Sequence, residues 1–321
     1  MEIGILDLIV IWIYVGISLA FVVPFEGVLV RFRANYNPKG LQLDAEGGAE
    51  PHTGPVIQSY FGMMKRVYDI EGWSGLYKGF MPTLLSTAFV TGLIIAFMDT
   101  PRPSHGKYRA PEASVLGTLF YTIVMMLVSL PTTIITYRSI TTPIKLPWFN
   151  PVKSLRVLLT PTERRQPWIL YLTPGLLAAE VSHIAIVVLG LGPLRRLLLP
   201  SKDADFFIEV SYFRLGIYLI ILALATAIIA PLEVILTRLA IQRNHSSSEY
   251  NSVSQEIVGD SEETNEFAGT DEDVIGLRNE EDPYLGLLDC AKRILDEEGW
   301  RALYRAWWIT LLGTFGSVAS F

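Results

Sequence analysis

Six stretches of the chain are apolar nearly throughout, near Ile5–Val30, Gly79–Met98, Ala113–Thr136, Ile169–Leu189, Phe206–Leu236 and Ala306–Phe321. A helix that crosses lipid needs about 20 mostly apolar residues, so the pattern predicts six transmembrane helices. Polar and amphipathic segments separate them, and the last stretch runs to the end of the sequence.

The odd-numbered stretches share a local pattern. Pro24-Phe25-Glu26-Gly27-Val28-Leu29-Val30-Arg31 is echoed by Pro131 through Arg138 and by Pro231 through Arg238. Each Pro is followed seven positions later by Arg, and the interval between copies is about 100 residues. A second element follows. Glu71-Gly72-Trp73 with Leu76-Tyr77-Lys78 returns as Glu298-Gly299-Trp300 with Leu303-Tyr304-Arg305. The middle copy retains Trp168, Tyr171 and Pro174-Gly175-Leu176-Leu177. A linked pair of elements recurring at a fixed interval marks an internally repeated architecture.

These elements resemble the signature of the mitochondrial carrier family: Pro-x-acid-x-x-base at the end of each odd helix, then a surface helix and a Glu-Gly element. The stretch from Tyr284 through Asp289, Cys290 and Arg293 to Glu298-Gly299 is similar to the family's third surface helix. The resemblance is strongest in the first and third copies. It implies an all-α membrane protein with six transmembrane helices in three pseudo-repeats around a pseudo-threefold axis, with short surface helices. The repeats would span residues 1–104, 105–205 and 206–321, the third carrying a disordered acidic insert at 244–283. It further implies transport of a small solute through a central cavity by alternating access, without enzymatic activity. The alternative is a carrier-fold adaptor of the mitochondrial outer membrane that no longer transports and serves fusion or membrane organisation. The inner membrane is preferred.

Composition agrees with a lipid environment. Half of the 321 residues are hydrophobic, 18% are charged and mean hydropathy is +0.37, against roughly a quarter charged in soluble domains. The formal charge of −6 is unevenly spread. Residues 244–284 hold 12 acids and one base, Arg278, so the remainder carries a net +5. Under the implied topology, 19 of the 26 Lys and Arg lie on the surface-helix side, as the positive-inside bias expects. A single cysteine, Cys290, excludes an internal disulfide, and the four histidines show no ligand spacing. Met1-Glu2-Ile3-Gly4 lacks the basic start of a signal peptide. Neither a metal nor a cofactor is expected. The partners expected are the bilayer and a small solute, with a protein partner open through the acidic loop and no nucleic acid.

The candidate site residues fall into two groups. The first would gate the cavity. The acid positions read Glu26, Thr133 and Glu233, while the base positions read Leu29, Thr136 and Leu236. Arg31, Arg138 and Arg238 are then either displaced partners of Glu26 and Glu233 or interfacial arginines that snorkel to water. For the opposite gate, Asp99 and Arg102 supply one acid and base; the second copy has Arg195 without an acid. The second group would contact solute: Ser86, Ala178, Ala179, Gly313 and Thr314 by position, and Glu180 and His183 as ionisable residues inside the fourth span. Glu180 and His183 either face a cavity or satisfy each other three residues apart.

Overall fold

The computed structural model describes residues 5–39, 41–43, 49–51, 56–97, 114–148, 150–199, 211–244, 273–280 and 282–320. Asp99, Arg102 and most of the acidic insert lie outside the described residues. Among the described residues the fold is mainly helical, with a short antiparallel pairing of β1 (Leu41–Leu43) with β2 (Ala49–Pro51), in which Gln42 faces Glu50.

Three long helices carry the repeated prolines: α1 (Ile5–Ala34), α4 (Val115–Thr141) and α9 (Tyr212–Ile241). They touch one another pairwise. Each is followed by amphipathic or short helices: α2 (Tyr60–Leu76) after α1, α5 (Pro151–Leu158) and α6 (Pro161–Arg165) after α4, and α10 (Leu287–Glu297) and α11 (Trp300–Leu303) after α9. An apolar helix then returns: α3 (Phe80–Phe97), the continuous run of α7 (Leu176–Ala185) into α8 (Gly192–Leu198), and α12 (Trp307–Ser320). A π-helical turn, Ile186–Leu191, joins α7 to α8 just ahead of Pro193. There the usual ladder loses a donor.

Among the described residues, four helices are long and apolar enough to cross a membrane: Trp12–Ala34, Val115–Thr141, Leu176–Leu198 and Tyr212–Ile241. Phe80–Gly92 is apolar but shorter. The fourth stretch starts later than the sequence pattern expects. Pro167–Leu172 is a 3-10 turn, and Gly175 breaks the chain before α7. Large apolar side chains such as Phe21, Phe25, Phe120, Phe213 and Ile228 are exposed, which suits a bundle solvated by lipid.

Each helix proline leaves the carbonyl four residues earlier without its helical donor. In all three long helices the same side chain repairs this. Tyr77 Oη donates to Ala20 O (3.1 Å) below Pro24, Tyr171 Oη to Leu127 O (2.9 Å) below Pro131, and Tyr304 Oη to Ala227 O (3.1 Å) below Pro231. An unsatisfied carbonyl in hydrocarbon costs several kcal/mol, which explains why Pro and Tyr recur together. The Glu-Gly elements have an equally local cause. Gly72 and Gly299 turn the chain with φ of 66° and 88°, a region that side chains with a Cβ avoid.

The packed core sits at the surface-helix end. One cluster joins Leu130 and Ile134 of α4 with Ala179 of α7, Val234 and Leu239 of α9 and Ile294 of α10. A second joins Val28 and Phe32 of α1 with Met63 and Val67 of α2 and, unexpectedly, Val274 and Ile275. Residues 273–280 and 282–283, within the stretch the sequence suggests is disordered, form a strap anchored by that apolar pair. Arg66 on α2 donates to the carbonyls of Val274 (3.1 Å) and Asp273 (3.0 Å), and Gly276 exchanges hydrogen bonds with Asn35 and Tyr36 beyond α1.

Candidate functional site

The three repeated arginines are neither displaced gate partners nor snorkelling surface groups. They are 1%, 3% and 2% exposed, and each meets a glutamate of its own copy. Arg31 donates to Glu71 (2.6 Å) and to the Gly75 carbonyl (2.9 Å). Arg138 grips Glu163 with both guanidinium ends (2.6 and 2.9 Å). Arg238 pairs with Glu298. Burial alone would push the Glu163 and Glu298 carboxyls up, but the arginine bonds outweigh it and hold both below the usual carboxylate range.

Sequence reading missed Glu163 because the middle copy lacks Glu-Gly. Its signal was present: Thr160-Pro161-Thr162-Glu163 has capping-box spacing. The Thr160 side chain accepts from the Glu163 N–H (3.2 Å), while Glu163 accepts from the Thr160 N–H (3.1 Å). One glutamate thus starts α6 and neutralises Arg138.

A second base reaches each outer pair, and the bonds pass from one copy to the next. Lys78 binds Glu71 (2.5 Å) and the Thr142 carbonyl at the end of α4 (2.8 Å). Arg138 reaches the Gln242 carbonyl at the end of α9 (2.6 Å). Arg305 binds Glu298 (3.0 Å) and the Asn35 carbonyl that follows α1. Asn35, Thr142 and Gln242 each lie four residues after the repeated Arg and donate back to its carbonyl. Cations at helix C-termini also meet the negative end of the helix dipole. Burial lowers the pKa of Lys78, with Glu71 opposing, and brings that of Arg305 down to about 10. The result is a closed ring of ion pairs joining three helix ends.

The strap reinforces one seam of this ring. Arg278 pairs with Glu297 (2.6 Å) and Asp282 and lies over the rings of Tyr36 and Tyr284. Burial opposes its charge, yet the Glu297 and Asp282 bonds raise its pKa. Gln242 exchanges hydrogen bonds with the Tyr284 backbone (2.9 and 3.1 Å). Cys290 is buried beneath this seam, and burial pushes its thiol up to about 12.

Deeper in the bundle the charges are sparser. Glu233 on α9 has a base that sequence reading did not assign, Arg33 on α1, at 2.5 Å. Thr310 of α12 donates to the same carboxyl oxygen (2.5 Å) and accepts from Arg33 (3.0 Å). His183 points its Nε2 at the other oxygen from 3.7 Å, too long for a hydrogen bond. His183 therefore faces Glu233 and does not pair with Glu180. Glu26 and Glu180 make no ion pair among the described residues.

The remaining candidates divide. Glu180 borders a cavity of about 330 Å³ between α3, α4 and α7, together with Thr133. Ser86 shares a hydrogen bond with Thr132 (2.9 Å) across α3 and α4. Ala178 is exposed, but Ala179 is fully buried in the apolar core and presents nothing to a solute. Thr314 is buried and donates to its own helix at Thr310 and Leu311. Gly313 is exposed, with open space where a Cβ would stand.

No curated protein matches the chain. The family model described as mitochondrial carrier protein matches residues 12–104 and 219–321 and leaves out the middle copy. The two matched segments include the first and third Pro–Tyr and Arg–Glu pairs. The chain, a multi-pass membrane protein, belongs to the mitochondrial carrier family.

Proposed function

We propose that this chain moves a small solute across the mitochondrial inner membrane by alternating access through a cavity enclosed by three helical pairs. The observation that carries the reading is the Arg33–Glu233 pair, which joins the last turn of α1 to α9 two residues past Pro231. A partly buried ion pair is a breakable closure, because its Coulomb gain is largely offset by desolvation. Three Pro–Tyr repairs and a cyclic hand-over of bases from copy to copy support six spans in three pseudo-repeats about a pseudo-threefold axis. In such a barrel, opening one side and closing the other exposes the cavity alternately.

The test is uptake by liposomes containing the purified protein, across panels of cationic, neutral and anionic metabolites. Uptake that Glu233→Gln changes supports the reading. Absence of exchange with any solute, in protein that unfolds cooperatively, rejects it.

A second reading has its own observation. Leu29, Thr136 and Leu236 stand where the family places bases, so a single ion pair spans the three helices at this level among the described residues. A non-transporting outer-membrane adaptor that engages a protein through its acidic loop would need no more. Protease treatment of intact mitochondria separates the two readings. Cleavage in the 244–283 loop without rupture of the outer membrane favours the adaptor, and protection until the inner membrane is opened favours the transporter.

A further inference from the structure

The cavity beside Glu180 has an unusually one-sided chemistry. Three hydroxyls line it with Glu180: Thr122, Ser129 and Thr133 on α4. Each spends its hydrogen on its own helix. Thr122 donates to Thr118 O (2.7 Å), Ser129 to Met126 O (3.2 Å) and Thr133 to Ser129 O (3.2 Å). A hydroxyl whose O–H is committed in this way offers only lone pairs. A carboxylate likewise only accepts. The wall is therefore built of acceptors, and no Lys, Arg or His borders the cavity among the described residues.

That wall rejects carboxylates and phosphates, which bring more acceptors and more negative charge. It suits a group that carries N–H donors and a positive charge. The rest of the lining is apolar, with Met126 and Ile184 buried at its back. A volume of about 330 Å³ lies at the small end of ligand pockets. The bases near it face elsewhere: Arg33 is occupied by Glu233 and Thr310, and His183, three residues along α7, points its Nε2 at Glu233. Glu180 is thus left to balance whatever enters.

We propose that this cavity is the solute site and that its solute is a small protonated amine with an apolar body, held by Glu180 and the α4 hydroxyls. The proposal rests on the transport reading for its physiological meaning, but the binding chemistry is tested separately.

The test is thermal unfolding of the full chain in detergent with three matched probes: phenethylamine, 3-phenylpropionate and 2-phenylethanol. The amine raises the unfolding temperature and the other two do not. Glu180→Gln weakens the amine's apparent Kd at least tenfold, and Thr133→Val weakens it several-fold while keeping the charge. If Glu180→Gln does not fold, Thr133→Val and Ser129→Ala carry the test. Equal stabilisation by the acid or the alcohol overturns the proposal. So does an amine effect that survives all three substitutions, or no response to any probe. Liposome uptake keeps the two readings apart. Amine binding without uptake retains the site and removes transport, whereas robust uptake of a non-amine retains transport and removes the site.

Discussion

The surface-helix end and the proline level of the same three helices lie only five residues apart, from Arg31 to Glu26, or roughly 7 Å along the helix axis. They are built on opposite rules. At the surface end each repeated Arg has a carboxylate, each carboxylate has at least one further donor, and the bonds close from copy to copy. At the proline level one acid is paired, one position is Thr, and Glu26 has no base among the described residues. The Arg–glutamate pairs lie within single copies and can persist through a functional cycle, whereas bonds between copies must open for a solute to pass. The contrast separates what holds each copy together from what is free to change with function.

The largest effect that would break this comparison comes from the ring. Glu163→Ala leaves Arg138 buried and uncompensated, and removing one partner of a buried pair costs about 3–5 kcal/mol. The unfolding temperature in detergent should fall sharply, and the double variant Arg138→Glu with Glu163→Arg should recover part of the loss. A small change in the single variant would show that the middle link is ornamental. Acid probes the same groups without mutation. The Glu163 and Glu298 carboxyls are depressed below the ordinary value of 4.5, so their contribution is fully present above that value. It is lost as pH falls through the lowered pKa. The wild-type stability curve should bend downward below pH 4.5 and bend less in Glu163→Gln.

Next in size is the strap. Ile275→Ala removes a buried anchor between α1 and α2, a change worth about 2–5 kcal/mol in a packed core. Because the strap covers one seam, the loss should be local. Limited proteolysis should cut between residues 273 and 283 in the variant before the helices unfold. Global unfolding without prior cleavage would place the strap in the scaffold itself.

Smaller again is the Arg33–Glu233 pair. Glu233 keeps about a fifth of its side chain exposed, and Thr310 can still bond Arg33 if the acid is neutralised. Glu233→Gln should cost about 1–2 kcal/mol, less than Glu163→Ala, since a part-solvated pair gains little net energy. The reverse order of these two variants, read by unfolding temperature, would invert the assignment of scaffold and gate.

How much of this could be read from sequence follows from distance along the chain. Pro24, Pro131 and Pro231 and the Arg seven residues on were legible, because their spacing is set within one helix. Their partners were not. Arg31, Arg138 and Arg238 meet glutamates 40, 25 and 60 residues away, as loops and an insert of different lengths intervene. Arg33 escaped notice because the family pattern looks for a base five residues after Pro24, and here it stands nine after. Val274 and Ile275 were hidden by averaging, since two apolar residues vanish in a segment with 12 acids. The solute-contact positions fared worst. Ala179 shares the fourth span with Glu180, yet one helical step, roughly 100°, turns it from cavity to core.

The smallest effect tests the feature that scaffold and gate share. Each proline lies between the ring and the mid-membrane region, and its orphaned carbonyl is held by Tyr77, Tyr171 or Tyr304. Replacing one tyrosine with Phe keeps the ring and its packing but removes the donor, at about 1 kcal/mol for a typical hydrogen bond. Tyr171→Phe is the most informative of the three. Its bond lies in the copy that the family match leaves out, beside the cavity wall formed by α4 and α7. If the middle copy is the same mechanical unit as the others, all three substitutions should lower the unfolding temperature by similar amounts. If Tyr171→Phe is silent while the outer two are not, α4 is not braced as α1 and α9 are. The proline beside the Glu180 cavity would then be the one free to flex.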